Sequence, residues 1–156
     1  MRTRHRLRNP RCHTAPGRFS GRAGRQGVEP VRNEPNVRHI DDVEWETRPG
    51  RTDGVRWKLL VDSDRIPSHG FSLGILQFPA GTTLAAHHHG PQEIYWIREG
   101  EGELLIAGER QKVRPGSIIY IPENHVHGIA NIGSRPLTIM WVFPTDTWAE
   151  VEYLFE

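Results

Sequence analysis

From Val55 to Phe143 the chain repeats one pattern: a short run rich in apolar and β-branched residues, then a turn. The runs fall at 55–61, 71–78, 83–88, 93–98, 102–107, 111–113, 117–121, 126–131 and 137–143. Between them stand Asp62-Ser63-Asp64, Pro79-Ala80-Gly81, Gly90-Pro91, Gly100-Glu101-Gly102, Gly108-Glu109, Arg114-Pro115-Gly116 and Gly133-Ser134. Such clusters punctuate chains because Gly reaches left-handed backbone, Pro fixes φ, and Asp and Ser close turns through their own side chains. Many short strands at this spacing predict an antiparallel barrel or sandwich. No internal segment carries a convincing helical period. Upstream, Val43 and Trp45 alternate with acidic residues as an edge strand would. In the tail two patterns compete. Thr147-Trp148-Ala149-Glu150 reads as a helical capping box, while Val151, Tyr153 and Phe155 alternate like a strand.

The 156 residues allow one domain and an appendage. The net charge of +1 hides a division. Residues 1–40 carry ten Arg against Glu29 and Glu34, a balance of +8, which leaves −7 for the remainder. Residues 1–39 are therefore expected to be a disordered basic arm, and 40–156 a single domain with its barrel at roughly 55–145. An acidic domain argues against nucleic acid as its partner. Cys12 is the only cysteine, so one chain makes no disulfide. No apolar run approaches the length of a membrane span. The first 28 residues lack the apolar core of a secretory signal, and although Arg-rich and acid-free like a transit peptide they show no amphipathic stripe. A cytoplasmic location is the expectation.

Chemistry concentrates in two places. In Gly81-Thr-Thr-Leu-Ala-Ala-His87-His88-His89-Gly-Pro-Gln-Glu93, His87 and His89 lie two residues apart, and a carboxylate follows four residues later. Strand alternation points His87 and His89 to one face and His88 to the other. Thirty-eight residues after His89 comes His127, within Pro122-Glu-Asn-His125-Val-His127-Gly-Ile-Ala-Asn131. Three imidazoles and one carboxylate from separate strands suit one divalent transition metal.

At these residues the chain resembles the cupin superfamily. The first cupin motif (Gly, five residues, His-x-His, three or four residues, Glu, six residues, Gly) is met by Gly81, His87, His89, Glu93 and Gly100. The second (Gly, five residues, Pro-x-Gly, two residues, His, three residues, Asn) is met by Gly116, Pro122, His127 and Asn131. Its inner Gly is replaced by Asn124, the non-glycine residue that most readily adopts left-handed backbone. The resemblance covers roughly residues 55 to 145. It implies an all-β double-stranded β-helix, a jelly-roll barrel, with His87, His89, Glu93 and His127 as metal ligands. Four ligands leave two positions of an octahedron open, which admits Fe, Mn, Ni or Co, with four-coordinate Zn also compatible.

Around the ligands, Tyr95 and Ile97 share the inward face of Glu93, while Trp96 and Arg98 face out. Tyr95 is a candidate acid or base. His125 is either a second, a proton shuttle beside an open metal position, or a solvent-facing turn residue. Gln92 and Asn131 are candidates for orienting the ligands, or respectively an exposed residue and a strand-end residue. An outward Trp96, with the strand around Trp45, points to a homodimer. The resemblance implies a site rather than a reaction. The expected function is a metal-dependent enzyme on a small, partly apolar organic molecule, with dioxygenase-type oxidation first. A non-oxidative lyase, isomerase or decarboxylase, or a non-catalytic small-molecule-binding protein, is the alternative.

Overall fold

The computed structural model describes residues 36–48 and 53–156. The expected disordered arm, except for residues 36–39, lies outside them. Among the described residues ten strands form: β1 (Arg56–Val61), β2 (Ser72–Phe78), β3 (Thr83–His88), β4 (Glu93–Glu99), β5 (Gly102–Ile106), β6 (Glu109–Val113), β7 (Ile118–Ile121), β8 (His127–Asn131), β9 (Leu137–Phe143) and β10 (Leu154–Phe155). They assemble into two five-stranded sheets, in the orders β1-β2-β9-β4-β7 and β10-β3-β8-β5-β6, and every pair is antiparallel. The nine expected runs become β1 to β9, and the architecture is the expected jelly roll.

Alternation sets which side chains enter the barrel. Along β4, Glu93, Tyr95 and Ile97 are buried while Ile94, Trp96 and Arg98 are exposed. Phe78, Ile97, Ile121, Leu137, Ile139 and Phe143 are fully enclosed in the core. Trp141 packs there beside Phe143, their ring centroids 5.5 Å apart. Gly74 makes room for it: a Cβ at that position would lie 2.5 Å from the Trp141 ring and 2.4 Å from the Lys58 carbonyl. The β5–β6 hairpin closes in two residues, Ala107 and Gly108, both at positive φ (50° and 80°), which matches the right-handed twist of paired strands.

The segment before β1 differs from expectation. Val43 and Trp45 do not form a strand; a 3-10 turn spans Ile40–Asp42, and a single bridge joins Glu46 to Trp57. The cause is local capping plus one buried cation. The His39 side chain accepts from the Asp41 amide at 3.2 Å, and the Asp42 carboxylate accepts from the His39 amide at 3.2 Å. Lys58, 6% exposed, donates to the Ile40 carbonyl at 2.8 Å. Arg56 and Lys58 lie over the Trp45 ring at 4.2 and 4.9 Å, which covers an aromatic expected to be open.

The tail realises both of its patterns in sequence. Thr147 caps a 3-10 turn at Trp148–Glu150 through the Ala149 amide, and β10 then pairs with β3, Leu154 against His88 and Phe155 against His87. Among the described residues no helix is long and apolar enough to cross a membrane.

Candidate metal centre

His87 and His127 face each other across the β3–β8 ladder, with ring centroids 4.3 Å apart. The ladder slips between Leu84 and His87. Such a bulge re-aims nearby groups, and here the Ala85 carbonyl accepts from His87 Nδ1 at 2.8 Å. His89 lies just past β3, its Nδ1 donating to the Pro91 carbonyl at 2.7 Å. His127 Nδ1 donates to the His125 carbonyl at 2.8 Å. A carbonyl oxygen only accepts, so each of the three rings carries its proton on Nδ1 and its lone pair on Nε2. Glu93 opens β4 in the opposite sheet, so the two sheets close on one another at this point.

All four side chains are at most 2% exposed. One ligand nitrogen from each histidine lies within 4.8 Å of the others. Glu93 Oε2 stands 3.2 Å from His89 Nε2 and 3.3 Å from His127 Nε2. His87 Nε2 and His127 Nε2 are buried without a hydrogen-bond partner. Lone pairs aimed at one another and at a carboxylate oxygen repel unless a cation lies between them. The donor set, neutral imidazole nitrogens with an anionic oxygen, is that of a divalent transition metal. The residues present therefore fit a metal.

Metal-free, the rings titrate differently. Burial, reinforced by His127 and partly offset by the Ala85 hydrogen bond, lowers the pKa of His87 from 6.5 to about 4. Burial acts the same way on His89, but once protonated its Nε2 donates to Glu93, and that hydrogen bond with the carboxylate's charge outweighs burial, so that pKa is raised. Burial and then the Glu93 charge push Tyr95 well above 10.

The other expected residues divide. Tyr95 is enclosed, 2% exposed, on the same inward face of β4 as Glu93. His88 turns to the outer side, 3.6 Å from the Glu156 carboxylate. The His125 ring is exposed, its Nδ1 3.1 Å from the Glu123 carbonyl. Strand parity does not carry it inward because β8 begins only at His127. Asn131 is a strand-end clamp, donating to the Phe78 and Arg135 carbonyls and accepting from the Gly133 amide. Gln92 is exposed and accepts from the Tyr120 hydroxyl at 2.8 Å. Asn124 has φ 57°, the left-handed conformation expected of it, and its amide donates to the His89 carbonyl at 2.9 Å.

Sequence reading did not single out the tail as part of the site. Tyr153 stacks on His87 with centroids 5.0 Å apart and meets His89 edge-on at 5.6 Å. Phe155 lies 5.4 Å from His87. The Tyr153 oxygen accepts from the Trp148 indole at 3.0 Å. Tyr153 and Phe155 also wall a pocket of about 190 Å³ with Trp57, Phe78 and Trp148. Among the described residues, Arg48 is the one charged member of that lining.

Residues 74–143 match the family model described as a cupin domain. Dimethylsulfoniopropionate lyase DddW of Ruegeria pomeroyi is 32% identical over 127 residues, which span 79% of this chain and 83% of the lyase. Among solved structures, the polyketide cyclase RemF from Streptomyces resistomycificus superposes with a TM-score of 0.65 at 22% identity, over 79% of this chain and 87% of that one. The lyase DddQ from Ruegeria pomeroyi superposes with a TM-score of 0.59 at 22% identity, over 74% of this chain and 61% of that one. At such identities the two structural likenesses establish the fold alone.

Proposed function

Because this chain belongs to the cupin superfamily, we propose that it is a metal-dependent lyase acting on a short carboxylic acid with a positively charged leaving group, of which dimethylsulfoniopropionate is the pattern. The observation that carries this reading is the aromatic pocket adjoining the three histidines through Tyr153 and Phe155. Aromatic faces attract an onium cation through their quadrupoles, and among the described residues no carboxylate lines the pocket. Arg48 is exposed, so water screens its repulsion of such a cation. The similarity to a lyase over most of both chains supports the reaction class.

His87, His89, Glu93 and His127 would hold the metal. When bound it supplies Lewis acidity, holding the substrate carboxylate and stabilising charge that develops next to it. The chain's own contribution is proton transfer and enclosure. A base removes the proton from the carbon beside the carboxylate; that electron pair forms a carbon–carbon double bond. The carbon–sulfur bond breaks with its pair on sulfur, releasing an unsaturated acid and a neutral thioether, and the base keeps the proton. We assign the base to Tyr153, which lines the pocket and whose oxygen is fixed by the Trp148 indole. Burial and then the Glu93 charge push the pKa of this phenol well above 10, and the Trp148 hydrogen bond offsets part of that rise; the step runs from the phenolate, the form to which that indole donor binds most strongly. To Tyr95, enclosed on the inward face of β4 with Glu93, we assign the positioning of that carboxylate.

The oxidative reading expected from the sequence uses the same four ligands and stands second. An anoxic assay separates them. Metallated protein given dimethylsulfoniopropionate should release the volatile thioether with oxygen excluded. Oxygen uptake without thioether release would replace the lyase reading with the oxidative one.

A further inference from the structure

We propose that the chain carries a second small-molecule site, on the far side of β4 from the metal centre, for an organic acid with an apolar body and one carboxylate head. A cavity of about 350 Å³ lies between the segment 36–43 and the outer face of β1, β2, β9 and β4. It is larger than the aromatic pocket beside the histidines, about 190 Å³, and the two share no lining residue. The site rests on neither the metal nor the lyase reading.

Register sets the floor. Ile75 on β2 faces Met140 on β9, and Met140 faces Trp96 on β4, so one apolar row crosses three strands. The outer face of such a sheet is commonly wet, yet Ile75 is only 1% exposed, beneath the segment that precedes β1. Lys58 pins that segment by donating to the Ile40 carbonyl at 2.8 Å, and Val43 is buried with it.

Charge sets the head group. Arg38 enters the cavity lining from the segment and Arg98 from β4. Arg98 is the extra residue of a bulge: Ile97 faces Ile139 and Glu99 faces Thr138, so β4 has three residues where β9 has two. Bulges re-aim side chains and recur beside functional sites. Among the described residues neither guanidinium has a hydrogen-bond or ion-pair partner, and no Asp or Glu lines the cavity. His39 adds a donor. Its Nδ1 accepts from the Asp41 amide at 3.2 Å, so the neutral ring carries its proton on Nε2.

Two unpaired guanidiniums over an apolar floor select both charge and shape. The fork of N–H groups on Arg matches a carboxylate, and the floor takes the rest of the molecule. Small-molecule sites share this make-up: a few hundred Å³, mostly apolar, with a few convergent polar groups. At about 30 Å³ for each water-sized group, the cavity holds a body of roughly a dozen heavy atoms, the size of decanoate.

Decanoate, kept below its micellar concentration, is titrated into the metallated full chain by calorimetry and by tryptophan fluorescence. One decanoate should bind per chain, and decyltrimethylammonium, with the same tail and the opposite charge, should not. Arg38→Gln and Arg98→Gln should each weaken decanoate by about tenfold or more, with circular dichroism unchanged. Arg110→Gln, outside the cavity and paired with Glu103, should bind as wild type does. Trp96 lines the cavity and is 42% exposed, so Trp96→Phe should remove the fluorescence change while calorimetric binding persists. Absence of decanoate binding, equal binding of the cation, or wild-type affinity in both Arg38→Gln and Arg98→Gln would overturn the site. Binding lost in His127→Ala but kept in both arginine variants would place the acid at the metal centre and overturn it too. Decyl phosphate held tenfold more tightly than decanoate would overturn the carboxylate head.

Discussion

Replacing Tyr153 by Phe removes one oxygen and leaves the ring. The stacking on His87 at 5.0 Å and the edge contact with His89 at 5.6 Å involve only that ring, so the ligands keep their support and metal content should stay at the wild-type level. Two effects remain. The Trp148 indole loses the acceptor it reaches at 3.0 Å. An orphaned buried donor costs about 1–3 kcal/mol, and because Trp148 is only partly buried the lower end applies, about 1 kcal/mol. For a domain of this size that is a fall in Tm of roughly 4 °C. The second effect is on turnover: loss of a positioned acid–base group costs about 10²–10⁴-fold, or roughly 3–5 kcal/mol in the barrier. Headspace chromatography of thioether release, run beside metal analysis and a thermal melt, reads all three quantities. A fully metallated Tyr153→Phe protein turning over within about twofold of wild type, far short of the loss expected of a general base, would refute the role.

Three further outcomes are expected. His88→Ala should retain metal, because its ring turns toward Glu156 and away from the centre; loss equal to that of His89→Ala would break the parity argument. His125→Ala should leave both metal and turnover near wild type, since only its main-chain carbonyl reaches His127; a large loss of turnover with metal retained would restore the ring as a proton shuttle. In metal-free protein, His87 should stay neutral down to about pH 4, seen by NMR of its ring. Between pH 6.5 and 4 the unfolded chain takes up a proton that folded His87 refuses, so this residue removes up to about 3 kcal/mol of stability as pH falls. His89 has the opposite sign: its raised pKa gives stability present below pH 6.5 and lost as pH climbs through the folded value. A His87 ring that titrates near its ordinary value would contradict the burial argument.

The barrel was legible because its information is local. Apart from the polar β6, which follows from its hairpin turn, each of β1 to β9 is announced by its own apolar run, and β4 shows the expected inward triplet Glu93, Tyr95 and Ile97. The positive φ of Asn124 follows from its replacing a motif glycine. What escaped reading is long-range. Val43 and Trp45 alternate as a strand does, yet buried Lys58 holds the Ile40 carbonyl and the segment turns instead. His125 has the spacing of an inward residue, but β8 starts two residues later. Tyr153 and Phe155 alternate visibly; nothing in their own neighbourhood says that β10 pairs with β3 beside His87. The half of the site closest to the aromatic pocket was therefore hidden in a contact between residues more than sixty positions apart.

The claim on which everything else depends is that His87, His89, Glu93 and His127 hold one metal. Elemental analysis of wild type and His127→Ala after identical metal loading and desalting tests it most directly. The account predicts about one transition-metal ion per chain in the wild type and almost none in the variant, with both proteins folded by circular dichroism. A wild type that takes up no metal, or a His127→Ala protein that keeps its full complement, would contradict it.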